Sequence, residues 1–209
     1  MTAQALRSGA SALGIALGER EIATLVGYLD LLAKWNRVYN LTAIRDPSRW
    51  VVLHLLDSLA VAPHLPEGRV LDVGSGAGLP GIPLAVVNRA RGVTLLDSSH
   101  KKGAFLRQAV GELGLTNVRV EITRVENYQP KEKFDVVISR AFAELADFAR
   151  FARRLCAAAG RLIAMKGIYP HEELAQLPAA AIERVERLSV PGLEAERHLV
   201  VIDPSRLLE

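Results

Sequence analysis

The sequence predicts an α/β protein with a doubly wound, mostly parallel sheet and an N-terminal helical extension. Three observations predict it. The stretch Val70-Leu-Asp-Val-Gly-Ser-Gly-Ala-Gly-Leu-Pro-Gly81 reads as a short buried strand, a glycine turn and the first turn of a helix. Strand-length apolar runs then alternate with helical periods as far as Lys166. A helical pattern fills most of the chain before the first strand. Half of the 209 residues are hydrophobic, enough for the core of one large domain. We expect residues 1–66 to form an extension packed on a core of residues 67–209, the two making one compact unit.

Each element has a local reason. Residues 3–17 form a weak, alanine-rich helical pattern interrupted by Gly9 and Gly14. From Glu19 to about Val38, Ile22, Leu25, Val26, Leu29, Leu32 and Ala33 keep helical spacing. Tyr39-Asn-Leu-Thr42 ends that pattern. Asp46-Pro47 then reads as an N-cap with proline at the first helical position, opening an apolar helix to about Ala62. His54 and Asp57 lie three apart on it and are expected to touch, as a pair that orients the helix, with a pair lining a substrate cleft as the alternative. After the glycine turn we expect a helix over 79–89, a strand over 93–97, a helix over 99–113 and a strand over 118–122. A polar loop follows, then a strand over 134–138, a helix over 143–158 and a strand over 160–166. A short helix over 171–177 and strands over 185–190 and 197–203, parted by Pro191-Gly192, close the chain. One antiparallel strand is expected near the end.

Gly74, Gly76 and Gly78 let a ligand approach the turn without meeting a Cβ. The P-loop pattern fails, because Ile82-Pro83 stands where Lys-Ser/Thr is required. The spacing of Gly76, Gly78 and Gly81 satisfies the dinucleotide pattern, so Asp72 has to discriminate. A carboxylate beside a pyrophosphate is repelled, whereas one beside the ammonium or sulfonium of S-adenosylmethionine is attracted. Asp97 ends the second strand. Alone it is as well read as an N-cap as a ribose ligand; downstream of the glycine turn, the ribose reading is favoured.

The formal net charge is +3, and its distribution is uneven. Residues 69–140 carry eleven basic and seven acidic side chains, while the segments on either side are near balance. A basic surface near the cofactor edge suits a polyanionic substrate. Arg140 directly follows a buried strand, Lys166 ends another, and Arg124 lies in the polar loop that precedes both. These three are the candidate cationic donors at the transfer site. The single cysteine, Cys156, falls in an expected helix and excludes an internal disulfide. The five histidines are scattered, so no metal site is expected. No apolar run approaches a membrane span, and the N-terminus lacks the pattern of a secretory signal, so a cytoplasmic protein is expected.

The fourth strand is followed by Ser139-Arg-Ala-Phe142, not by the Asp/Asn-Pro-Pro-aromatic run that suits methylation of an exocyclic amine. There is no Pro-Cys nucleophile for attack on a pyrimidine carbon. An acceptor that needs no deprotonation fits, and guanine N7 offers a ready lone pair. Its methylation needs proximity, alignment and stabilisation of moving charge. Methylation of a small molecule or protein, a non-catalytic RNA-binding protein and a nicotinamide dehydrogenase are the competing readings.

The chain resembles the ribosomal small-subunit methyltransferase G family, also called glucose-inhibited division protein B. The resemblance rests on Tyr39-Asn-Leu-Thr42, His54-Leu-Leu-Asp-Ser58, the glycine turn through Pro83, Leu95-Leu-Asp-Ser98, Arg124-Val-Glu126, Ile138-Ser-Arg-Ala-Phe142, Met165-Lys-Gly167 and Glu196-Arg-His-Leu-Val-Val201. It implies a seven-stranded class I, Rossmann-like methyltransferase sheet and S-adenosylmethionine-dependent N7 methylation of one guanine in 16S rRNA. The implied partner is the small ribosomal subunit or its assembly intermediate, met by a monomer. Carried over position by position, Gly74 and Leu79 contact the methionine part of the cofactor, Val125 and Glu126 bracket the adenine, and Arg140 lies beside the transfer site. Asp97 is the ribose acid by its place in the sheet, and Arg124, Arg140 and Lys166 face the RNA.

Overall fold

A computed structural model describes residues 2–140, 142 and 144–207. Ala141 and Ala143, which fall within segments read above, lie outside the described residues.

Seven strands form one sheet in the order β3-β2-β1-β4-β5-β7-β6. They are β1 (Val70–Val73), β2 (Val93–Asp97), β3 (Val118–Ile122), β4 (Phe134–Ser139), β5 (Cys156–Lys166), β6 (Ile182–Arg187) and β7 (His198–Ile202). β1 to β5 are mutually parallel, and β7 runs antiparallel to both its neighbours. The expected doubly wound sheet with one antiparallel strand is thus observed. Its reversal point lies between β1 and β4, and open α/β sheets bind ligands at the carboxyl edge beside such a point.

Side chains alternate across the strands. Val70, Val93, Leu95, Val136, Ile138, Ile163 and Val201 face one layer, which also holds the apolar faces of α1 (Thr2–Ala12), α2 (Glu19–Tyr39), α4 (Gly81–Val87) and α5 (His100–Glu112). Leu71, Val73, Leu96, Val137, Leu162 and Val200 face the other, packed on α6 (Leu145–Ala152). The N-terminal helices therefore share a core with the sheet. Tyr28 of α2 extends this contact to the glycine turn, where its hydroxyl donates to the Ala77 carbonyl at 2.7 Å.

Four expectations are corrected. The single helix expected after Asp46-Pro47 is instead a succession of turns. Asp46 caps a tight turn at Pro47–Arg49, as its residue type predicts. Val51–Leu56 then runs in wide turns and leads into α3 (Asp57–Leu59), with Ala62–His64 a final tight turn. The Asp57 N–H reaches back five residues to the Val52 carbonyl as well as three to His54. Wide turns of this kind displace side chains from normal helical spacing and recur at functional sites. Secondly, His54 and Asp57 are not partners: His54 binds Thr42 and Asp57 binds arginines, as described below.

Thirdly, the helix over 143–158 is too long. α6 ends at Ala152, and Cys156 begins β5 paired with Phe134. The alanines that favour a helix are overruled by pairing with β4, where the register shifts between Phe134 and Val136. Gly160 belongs to this irregularity, since a Cβ there would stand 2.6 Å from the Asp135 carbonyl oxygen. Cys156 is buried and its thiol is pushed up to about 12 by burial, so it stays protonated at neutral pH. The penultimate strand also begins earlier than expected, at Ile182, where it pairs with Ile202.

Candidate active site

The carboxyl ends of β1 and β2 face the turn after β3 across a cavity of about 290 Å³. Val73, Leu96, Val125 and Phe142 give it apolar walls, and Gly74 supplies open backbone. Asp97, Ser98, Lys102, Thr123, Arg124 and Glu126 supply polar groups. Gly74 has φ 71° and Gly76 φ 60°, left-handed conformations that glycine adopts without a Cβ clash.

Asp97 ties the turn to the second strand. Its Oδ2 accepts from the Gly76 N–H and its Oδ1 from the Ser99 N–H, both at 2.9 Å. Lys102 Nζ stands 3.6 Å from Oδ2. An ionised carboxylate has about four lone-pair sites, so two backbone donors leave room for ligand hydroxyls. The Ser99 hydroxyl in turn accepts from the Lys102 N–H at 3.4 Å, capping α5. Asp97 therefore holds the turn through its own backbone contacts. The far wall is held by Arg154, which donates to the Val125 carbonyl and, at 2.8 Å, to that of Tyr128.

Asp72 occupies a different position from the one argued from sequence. It is fully buried and does not line the cavity. Its Oδ2 accepts from the Gly81 N–H at 2.9 Å, and its Oδ1 has no partner among the described residues. Burial pushes its pKa from 3.8 up to about 7, against the pull of the Gly81 N–H and the Arg140 guanidinium. It secures the start of α4 beneath the turn, so any influence of its charge on a ligand acts at a distance. Gly78 and Leu79 are likewise packing positions: a Cβ on Gly78 would lie 2.4 Å from Ile82 Cδ1, and Leu79 is buried.

Arg140 follows β4 and lies near the centre of the sheet edge. Its Nη1 is 3.3 Å from Asp57 Oδ2 and donates to the Leu53 carbonyl at 3.5 Å. Arg197, just before β7, donates from Nε to Asp57 Oδ1 at 2.6 Å. One buried carboxylate thus holds two guanidiniums.

His54 stands beside them. Burial, then the Arg140 charge, lowers its pKa to about 4, so it is neutral at physiological pH. A carbonyl only accepts, so Nδ1 carries the proton and donates to Leu53 at 3.2 Å. Nε2 therefore accepts from the Thr42 hydroxyl, 3.1 Å away. Thr42 completes the network by accepting from the Ile44 N–H at 3.1 Å.

Lys166 ends β5, as read, but its ammonium is engaged. It donates to Glu173 Oε2 at 2.6 Å and to the Phe142 carbonyl at 3.2 Å. Arg124 is exposed at the cavity mouth. Of the sequence-derived residues, Gly74, Asp97, Arg124, Val125 and Glu126 thus meet at one cavity, with Gly76 adjoining through Asp97. Arg140 and Lys166 stand at neighbouring strand ends, while Asp72, Gly78 and Leu79 support the turn from within. Sequence reasoning missed Lys102 and Thr123 in the lining, and Arg197 as the partner of Asp57. Adjacency to Asp97 was a signal for the first; the pairing of Asp57 with Arg197 had none, since 140 residues separate them.

The donor set fits the cofactor read from sequence. Apolar walls suit a purine, Asp97 offers acceptors for ribose hydroxyls, and Gly74 leaves the backbone open. Among the described residues no cluster of histidine, cysteine or carboxylate could hold a metal, and no helix is long and apolar enough to cross a membrane.

Comparison with known proteins supplies independent information. A family model described as rRNA small subunit methyltransferase G, GidB, matches residues 21–200. The protein named ribosomal RNA small subunit methyltransferase G from Laribacter hongkongensis is 54% identical over 196 residues, covering 93% of this chain and 95% of its own. The protein of the same name from Chromobacterium violaceum is 55% identical over 197 residues, covering 93% and 94%. Among solved structures, a SAM dependent methyltransferase from Aquifex aeolicus superposes with a TM-score of 0.58 at 20% identity, covering 78% of this chain and 97% of that one. TrmN from Thermus thermophilus gives 0.54 at 21%, covering 80% and 53%. The structural likenesses establish the fold.

Proposed function

The chain belongs to the rRNA small subunit methyltransferase G family, and from that premise we propose that it methylates N7 of one guanine in 16S rRNA. It is an S-adenosylmethionine-dependent methyltransferase whose substrate is the RNA of the small ribosomal subunit. The observation that carries this reading is the family match, which spans the glycine turn, the Asp97 strand, the Val125 turn and Arg140 together. We further read the protein as a cytoplasmic monomer that meets the subunit or its assembly intermediate. Residues 1–66 act as an extension of the methyltransferase core at 67–209.

The cofactor supplies an electrophilic methyl group on a sulfonium. Gly74 and the Asp97 carboxylate position its methionine and ribose parts, and Val125 and Glu126 bracket its adenine. Gly76, Gly78, Leu79 and Asp72 keep the turn in shape beneath it. Guanine N7 needs no base to remove a proton, so the protein's task is alignment and charge stabilisation. Arg140 lies beside the transfer site, where a fixed guanidinium meets guanine O6 or a flanking phosphate. Arg124 faces the RNA from the mouth of the cavity. Lys166, tied to Glu173, orients the Phe142 segment from behind.

Incubation with methyl-labelled S-adenosylmethionine and small subunits lacking the modification tests the reading. Label is expected in 16S rRNA, on N7 of guanine after nuclease digestion. Label on a protein or small molecule, with none in rRNA, would overturn it.

A further inference from the structure

Asp57 and Arg197 take no part in the cofactor cavity, yet with Arg140 they form a charged cluster at the strand ends. The Asp57 side chain is 3% exposed, and each of its oxygens holds a different guanidinium: Oδ1 that of Arg197 and Oδ2 that of Arg140. The two cations flank separate strands, Arg140 just after β4 and Arg197 just before β7, and are brought side by side through one anion. With His54 neutral and the buried Asp72, which also feels Arg140, only partly ionised near pH 7, two guanidiniums against the Asp57 carboxylate leave a positive surplus of less than one charge. The two arginines are not sealed in: the Arg140 and Arg197 side chains are 30% and 24% exposed.

We propose that Arg197 and Arg140 together seat a phosphodiester of the RNA strand that carries the target base, with Asp57 as the residue that positions both. The assignment rests on the methyltransferase reading above and adds to it a phosphate-binding partner for Arg140 and a role for Asp57. A planar guanidinium pair matches the tetrahedral oxygens of a phosphate better than flexible ammonium groups do. The surroundings favour a single strand as occupant. His198, next to Arg197, packs edge-on against the Tyr169 ring with centroids 5.4 Å apart. Tyr169 is 38% exposed and neighbouring Ile168 is 81% exposed. An exposed ring near cations is a usual platform for an unpaired base.

The test uses the full chain and unmodified small subunits as substrate, with RNA affinity measured over a series of salt concentrations. Arg197→Ala is expected to raise KM for the subunit about tenfold with little change in kcat, the loss of one charged contact. It should also lower the slope of log affinity against log salt by about one, the signature of one lost phosphate. Affinity for S-adenosylhomocysteine should be unchanged. Arg197→Lys should restore the slope but not the whole KM, because it keeps the charge and loses the fork. Asp57→Asn separates positioning from bulk charge. Removing an anion by itself strengthens RNA binding, so a weaker KM in the folded variant is the mark of positioning. An unchanged salt slope in Arg197→Ala, alongside an active wild type, would overturn the phosphate seat. A wild type that transfers no methyl group to rRNA would instead remove the underlying reading, and this inference with it.

Discussion

Asp72→Asn converts the buried carboxylate beneath the glycine turn into a measurable pH dependence. In the native protein burial raises the Asp72 pKa from 3.8 to about 7. The folded state therefore holds more protons than the unfolded state between those values. The stability associated with this group is fully present below about pH 4 and is lost as pH rises through 7. A difference of about three pH units corresponds to an upper limit of about 4 kcal/mol. His54 has the opposite sign. Its pKa falls from 6.5 to about 4, so its contribution to stability grows as pH rises across that interval. The two slopes oppose each other below about pH 6.5, and the wild type alone does not isolate either. Asparagine at position 72 still accepts from the Gly81 N–H but cannot ionise. Its amide N–H groups bring a cost of about 1–3 kcal/mol where they lack partners, and that cost does not vary with pH. The informative quantity is thus the change in the wild-type-to-variant difference. Urea unfolding at a series of pH values should show Asp72→Asn gaining on the wild type between pH 4 and pH 8, by up to about 4 kcal/mol. A difference that stays flat across that range would refute the burial argument.

Three further outcomes follow from the same geometry. If the Asp72 charge is felt at the methyl donor, S-adenosylmethionine should release protons on binding below pH 7 and neutral S-adenosylhomocysteine fewer. Calorimetry in buffers of different ionisation enthalpy reads this, and equal proton release would show that the charge does not reach. Tyr28→Phe leaves the Ala77 carbonyl without its donor and should cost about 1–3 kcal/mol in urea unfolding; a loss below experimental error would mean that α2 does not brace the turn. Asp97→Ala frees the Gly76 and Ser99 N–H groups and should weaken S-adenosylhomocysteine binding at least about tenfold by calorimetry, and unaltered affinity would remove Asp97 from the cofactor site.

The parts of this fold that were legible from sequence are those fixed by neighbouring residues. The β1 turn, Asp97 at the end of β2 and the cap at Asp46 depend on glycine spacing, strand length and a short side-chain bond. The parts that were not legible depend on distant partners. Nothing local to Cys156-Ala-Ala-Ala-Gly160 reveals that β4 recruits it as a strand. Nothing in the spacing of His54 and Asp57 reveals that Arg140 and Arg197 arrive from elsewhere and that the helix runs in wide turns to receive them.

The contrast between Asp72 and Asp97 shows where a sequence argument needs one more step. Both are acids near the carboxyl ends of adjacent parallel strands, and both lie on the face covered by α4 and α5. Val70 and Asp72 alternate onto that face, as do Val93, Leu95 and Asp97. The register pairs Asp72 with Leu95. Asp97 therefore stands two residues, about 6–7 Å, farther toward the sheet edge. At the level of Leu95 a side chain lies under the first turn of α4, where a Cβ on Gly81 would stand 2.2 Å from Leu95 Cδ2 and 2.8 Å from Asp72 Oδ2. There a carboxylate can only serve the backbone. Two residues farther on, the helix has not begun and the carboxylate meets the cavity. Strand register, more than residue type, thus separates the acid that shapes the turn from the acid that meets the ligand.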